Sequence, residues 1–265
     1  MNQPLIQLGP WDLALAALLL VIPAVISIGL RLGLQRRLAL AGVRTVLQLA
    51  FIGVVLEWVF ALDRWYWVAP VLLAMMLVAA GAAVNRSNRR YRGAYLASFA
   101  SLVLATGTVT FLSTEIIIGV ETWYEPRYVI PLLGMLLGNG LNGISLALDR
   151  LLDGLVERRA AVEARLALGA SLWTAVRPWV ADAVRVGLTP IINSMMVVGL
   201  VSLPGMMTGQ ILAGAPPADA VAYQILIMFM IAGATALGTI ALCLVTYRIL
   251  ADPLERIRWN RIREG

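Results

Sequence analysis

An all-α, polytopic membrane protein is the fold class this 265-residue chain predicts, and three observations predict it. Apolar residues make up 60% of the chain and charged residues only 14%, with a mean hydropathy of +0.84, outside the range of water-soluble domains. Seven segments reach the roughly 20 apolar residues needed to cross a hydrocarbon core of about 30 Å. The basic residues, all 21 of them arginine, fall overwhelmingly in alternate connections between those segments.

Taken in order, the expected spans are 11–30, 40–60, 65–84, 94–118, 128–148, 186–212 and 220–250. Lipid offers the backbone no hydrogen-bond partner, so each is expected to be an α-helix. Arg31, Arg36 and Arg37 follow the first, and Arg86, Arg89, Arg90 and Arg92 follow the third. Arg150, Arg158, Arg159, Arg165, Arg177 and Arg185 follow the fifth, and Arg248, Arg256, Arg258, Arg261 and Arg263 close the chain. Eighteen of 21 arginines thus share one side, against Arg64 and Arg127 on the other, with Arg44 near the inner end of span two. This bias expects the N-terminus outside, the C-terminus in the cytoplasm, and a cytoplasmic loop over about 149–185 between spans five and six. A single transmembrane domain over 1–265, multi-pass in a plasma or inner membrane, is the expected organisation. No positive charge precedes the first apolar run, so a cleavable signal peptide is not expected. The basic balance follows from topology, and nucleic acid is not an expected partner. The outer side leans acidic, with Asp12, Glu57, Asp63, Glu115, Glu121, Glu125 and Asp219; these are either residues left where arginine is excluded or a vestibule for cations.

Chemistry is restricted by what is missing. There is no histidine, the commonest general base and metal ligand, and one cysteine, Cys243, which allows no intrachain disulfide. No catalytic residue is expected, and the sequence leaves any metal site unassigned. Lysine is absent, so the G-x-x-x-x-G-K-[ST] phosphate loop cannot be formed and ATP cannot be hydrolysed by this chain alone. The absence of an internal repeat and of a charged relay through the spans counts against an ion-driven carrier.

The longest hydrophilic stretch contains "ERRAAVEARLALGASLWTAVRPW", residues 157–179. Val162, Leu166 and Leu168 lie near helical spacing with Glu163 and Arg165 elsewhere on the wheel, so a short amphipathic helix, a turn at Gly169 and a second helix are expected. Such a helix either rests on anionic headgroups or docks in a cleft of a cytoplasmic partner. Its "E-A-x-x-x-x-G-A" pattern, Glu163, Ala164, Gly169 and Ala170, resembles the coupling loop of ABC transporter permeases, departing from it at Arg165 and in lacking a following Leu-Pro. Together with "PLLGMLLGNGLNGISLALDRLLDGL" and "GLTPIINSMMVVGLVSLPGMMTGQILAG", the chain resembles the permease subunits of the iron-export ABC transporter family, which has plant relatives linked to aluminium tolerance. The resemblance implies a homodimeric permease without an ATPase site, paired with an ATPase subunit that binds ATP and Mg²⁺. It also implies that Glu163, Ala164, Arg165, Gly169 and Ala170 couple the two, and that a metal ion, iron, is exported.

Span five spaces Gly138, Asn139, Asn142, Ser145 and Asp149 so that small and amide side chains share a face, either packing helices or lining a polar path at a dimer interface. Span six carries Asn193, Ser194, Met195 and Met196, then a Pro204–Gly205 break, then Met206, Met207 and Gln210. Methionine thioethers suit soft cations poorly matched to iron, and equally serve as flexible packing or gating residues. Arg44 and Gln48 on span two, and Glu115 near the outer end of span four, complete the candidates; each either snorkels or marks the path. An organic or chelated solute, or an ion-driven carrier or channel, are the alternatives to metal export.

Overall fold

The computed structural model describes residues 9–62, 64–119 and 124–264; Asp63 and Glu121 of the expected acidic outer side lie outside them. Seven helices long and apolar enough to cross a membrane occur among the described residues. Two compact units emerge, one formed by Met1–Asp63 with Leu212–Gly214 and the other by Arg64–Ile211 with Ala215–Gly265.

The first unit holds α1 (Pro10–Leu18), α2 (Val21–Gly29) and α3 (Gln35–Leu62). The first expected span is therefore broken. Pro23 lacks an N–H and its ring opposes the carbonyl four residues back, at Leu19, where the interruption falls. Almost nothing in these helices is buried within the chain, Ser27 and Val59 excepted. In water such exposure would be prohibitive; in hydrocarbon it costs nothing, because lipid tails are as apolar as leucine.

The second unit begins with α4 (Trp65–Asn85) and a short strand, β1 (Arg89–Tyr91). The fourth span, Ala94–Ile118, runs from α5 (Ala94–Leu102) through a π-helical turn at Val103–Gly107, α6 (Thr108–Leu112) and a second π turn at Ser113–Ile118. Inside it, Thr106 and Thr114 donate their hydroxyls to the carbonyls of Leu102 and Thr110, at 2.7 and 3.0 Å. Then follow α7 (Pro126–Glu157), α8 (Arg159–Ala167), α9 (Leu172–Val197), α10 (Gly205–Leu212), α11 (Pro217–Leu250) and β2 (Ile262–Glu264).

The expected 149–185 loop is mostly helix. Its helix, turn at Gly169 and second helix are as expected, and Leu151, Leu152 and Leu155 of α7, with Leu172, Ala175, Val176, Val180 and Ala183 of α9, keep core-facing spacing while the arginines face outward. Arg150 and Asp182 tie α7 to α9 at 2.6 Å. Span six consequently starts at Leu172 rather than Val186, and stops at Val197. The expected break is real, although it covers 198–204 and includes Gly199 at φ +84°. Among the described residues a two-stranded antiparallel ribbon departs from the all-α expectation, pairing Arg89 with Glu264, Arg90 with Arg263 and Tyr91 with Ile262.

The core lies where α7, α9 and α11 meet, around Ile144, Leu148, Leu152 and Leu242. Glycine permits that meeting: a Cβ at Gly143 would stand 2.6 Å from Thr235 Cγ2, and one at Gly187 would stand 2.7 Å from the carbonyl oxygen of Gly143. Small residues allow backbones to approach where no hydrophobic force drives helices together.

Candidate functional site

At one end of the second unit the polar segments converge on α8. Arg158 separates α7 from α8, and Val162 is fully buried, anchoring the short helix to the core. Gly169 at φ +86° ends it with the amides of Gly169 and Ala170 bonded to the carbonyls of Leu166 and Arg165, at 2.9 and 3.1 Å. That bonding pattern is a Schellman cap, in which a left-handed glycine satisfies the last helical carbonyls. Ser171 then caps α9, its hydroxyl accepting from the Thr174 amide at 3.3 Å. The chain thus turns at Gly169 between two helices, as expected.

Glu163, Ala164, Arg165 and Gly169 are exposed and Ala170 is half-buried. Glu163 accepts from Arg159 Nε at 2.7 Å within its own helix, and Arg165 Nη1 donates to the Ala175 carbonyl at 3.3 Å. Leu168, expected on the packed face, is instead 88% exposed, because the helix has already ended at Ala167.

A C-terminal hook backs α8, and nothing in the sequence foretold it. After α11 the chain reverses at Asp252, which accepts from Arg258 and Arg256 at 3.3 and 3.5 Å. Glu255, at φ +55°, receives the Leu172 amide at 3.1 Å and so caps α9 from another part of the chain. Arg159 lies over the Trp259 ring, 5.2 Å from its centroid. Between α8 and the hook lies an open groove of about 930 Å³ whose walls include Glu163, Leu166, Arg256, Arg258 and Arg261. The β1 end joins the same region: Asp149 accepts from the Asn88 amide at 2.7 Å, and Asp153 accepts from Arg89 Nε at 2.7 Å. Tyr91 is buried and shares a 3.0 Å hydroxyl bond with Thr246; burial pushes its phenol up to about 12, the Thr246 bond working the other way.

The intramembrane candidates divide. Asn139 and Asn142 are exposed and Ser145 is buried. Asn139 donates to its own helix at Met135, and Asn142 accepts from Arg86 Nη1. Met195 and Met207 line one cavity of about 450 Å³ with Gln224, Met228 and Phe229. Met206 and Gln210 line a separate one of about 210 Å³ with Arg127 and Tyr223. Gln224 and Gln210 each carry a buried side-chain oxygen without a hydrogen-bond partner. Met196 is 74% exposed, Asn193 and Ser194 are also exposed, and Ser194 bonds to its own helix at the Pro190 carbonyl. Arg44 and Gln48 are exposed on α3 in the first unit, and Glu115 is exposed in the second π turn. Gln224 and Met228 were missed in the sequence, although an amide four residues before a methionine in an apolar run is a visible signal. Among the described residues no group of three or more His, Cys, Asp or Glu is placed to hold a metal ion.

Seven apolar helices, with a helical elbow built at one end, define a multi-pass membrane protein. The chain belongs to UPF0014, matching the Uncharacterised protein family (UPF0014) over residues 10–251. It is 43% identical to the UPF0014 membrane protein slr1647 of Synechocystis sp., covering 82% of this chain and 84% of that protein. It is 34% identical to the Probable iron export permease protein FetB of Escherichia coli, covering 89% and 90% respectively. To the Protein ALUMINUM SENSITIVE 3 of Arabidopsis thaliana it is 36% identical, covering 85% and 81%. No solved structure matches the chain significantly.

Proposed function

We propose that this chain is the membrane-spanning subunit of an ATP-driven exporter, with α8 as the helix that docks a separate ATPase. The carrying observation is the elbow itself. At 1.5 Å per residue the 32 residues of α7 extend about 48 Å, well beyond a hydrocarbon core of about 30 Å. α7 therefore delivers α8 clear of the bilayer, with Val162 seated in the core and Glu163, Ala164 and Leu168 facing outward. A helix resting on lipid would present its apolar side to the headgroups; here that side is occupied by the protein. Lacking lysine, the chain needs another polypeptide to cradle ATP and Mg²⁺.

On this reading the arginine-rich end is cytoplasmic, and two copies alternate between inward and outward access as the ATPase closes. Cation export, iron in particular, is carried over from the Escherichia coli relative's name. A chelated ion or organic solute is the second reading. It is favoured by the absence of a hard-ligand cluster among the described residues and by the methionine-rich cavity that Gln224 also lines.

Copurification from native membranes tests the first reading. An ATPase bearing the phosphate loop should accompany the wild-type chain and be lost from Glu163→Arg, which removes the Arg159 partner and adds a like charge at the docking face. Undiminished recovery with Glu163→Arg removes α8 from the interface. Cellular accumulation of iron, manganese, copper and aluminium in a deletion strain separates cation export from the second reading.

A further inference from the structure

The ribbon carries a charge arrangement that protein contacts leave unresolved. Arg90 and Arg263 are directly opposite in the register, so their side chains share one face of the two strands. Like charges at opposed positions destabilise a strand pair. Neither arginine has a carboxylate within ion-pair distance among the described residues, whereas the neighbouring Arg89 holds Asp153 at 2.7 Å. Arg90 Nε is moreover buried with no hydrogen-bond partner. A guanidinium nitrogen taken from water without an acceptor is costly, and guanidinium does not escape the cost by losing its proton.

We infer that Arg90 and Arg263 together bind the phosphate of an anionic lipid headgroup. A phosphate diester offers two non-bridging oxygens and one negative charge, and in an anionic headgroup no choline ammonium offsets that charge, which suits two arginines on one face of a ribbon. Position selects the lipid over other anions. The 21 residues of α4 extend about 31 Å, the thickness of the hydrocarbon core, so Asn85 ends at its boundary. The link from Asn85 to the start of α5 at Ala94 must go out and return, which keeps its tip within about 14 Å of the helix ends. Arginine side chains at that height reach the headgroup layer. The strand paired with β1 is the end of the C-terminal hook, so a lipid phosphate held here would also fix the hook that caps α9 through Glu255. This inference needs only the membrane-spanning fold and is independent of the transport reading.

Hydrogen exchange at residues 89–91 and 262–264 tests it, on the full chain in nanodiscs of phosphatidylcholine alone, of phosphatidylcholine with phosphatidylglycerol, or of phosphatidylcholine with added inorganic phosphate. Phosphatidylglycerol should slow exchange at these amides on the order of thirtyfold, the gain of two arginines beside an anionic surface. Arg90→Gln/Arg263→Gln should abolish the difference, and Arg263→Gln, at an exposed position, should reduce it without unfolding the ribbon. Equal exchange of the wild-type chain in neutral and anionic discs overturns the site. An undiminished effect in the double variant does the same. Equal slowing by inorganic phosphate in neutral discs would overturn the lipid as the source, and slowing only with an added ATPase subunit would reassign the pair to a protein acid.

Discussion

Replacing Gly169 isolates the turn behind α8 from every other contribution. At φ +86° its backbone is left-handed, and a Cβ added there meets nothing within 4 Å. Alanine therefore introduces backbone strain alone, with no clash and no lost side chain. An L-residue in that region costs about 1–2 kcal/mol, which converts to a five- to thirtyfold change in the closed population of the turn. Valine, β-branched, should cost more, and asparagine, which visits this region far more readily, should cost less. Two amides report the strain directly: Gly169 to the Leu166 carbonyl and Ala170 to the Arg165 carbonyl. We expect exchange at these amides to rise by about five- to thirtyfold in Gly169→Ala, further in Gly169→Val, and little in Gly169→Asn. In a reconstituted complex, transport-coupled ATP hydrolysis should fall in the same order while membrane levels stay normal, because the turn lies outside the spanning segments. Should alanine and valine leave exchange unchanged, the left-handed cap is not what holds α8. Should exchange rise while coupling stays intact, α8 is not the transmitting element.

Gly187→Ala and Gly143→Ala would each drive a Cβ into a facing helix, 2.7 Å from a backbone oxygen in one case and 2.6 Å from Thr235 in the other. Each should lower stability by about 1–3 kcal/mol in a thermal assay, and a neutral result would mean that α7 and α9 separate freely. Glu255→Ala removes the acceptor for the Leu172 amide and should cost about 0.5–2 kcal/mol, read as faster exchange in the first turn of α9; Glu255→Gln should be milder because it keeps an acceptor. Tyr91 holds its proton in the folded chain up to a pKa of about 12, against 10.0 for an unburied tyrosine. Its stabilising effect is therefore complete below pH 10 and lost as the pH climbs from 10 through 12, by roughly 3 kcal/mol at most. Tyr91→Phe should flatten stability over that window, and an unaltered alkaline profile would show that another group titrates there.

What the amino-acid sequence by itself determined is whatever depends on local composition. Seven apolar stretches of bilayer length determine seven spanning helices, because hydrocarbon cannot solvate a backbone. Glu163 and Gly169 determine a short helix and its stop, because only a residue comfortable at positive φ can form that cap. The missing lysine determines that no phosphate loop exists. Tertiary structure decided matters in which distant residues meet. Arg177 and Arg185 set the expected start of span six at Val186, yet packing of Leu172, Val176 and Val180 on α7 makes one helix of the expected second helix and the span, and Arg150 reaches Asp182 across the interface. Glu255 and Leu172 are 83 positions apart, and Arg90 and Arg263 further still, so neither the cap nor the ribbon has a periodicity to betray it. The cavity at Gln224 likewise combines α9, the 198–204 break and α11. Hydrophobic pattern tells each residue how deep to lie in the membrane, since transfer free energy depends on depth alone. Which neighbour it faces there depends on steric fit between helices, which only the packed chain specifies.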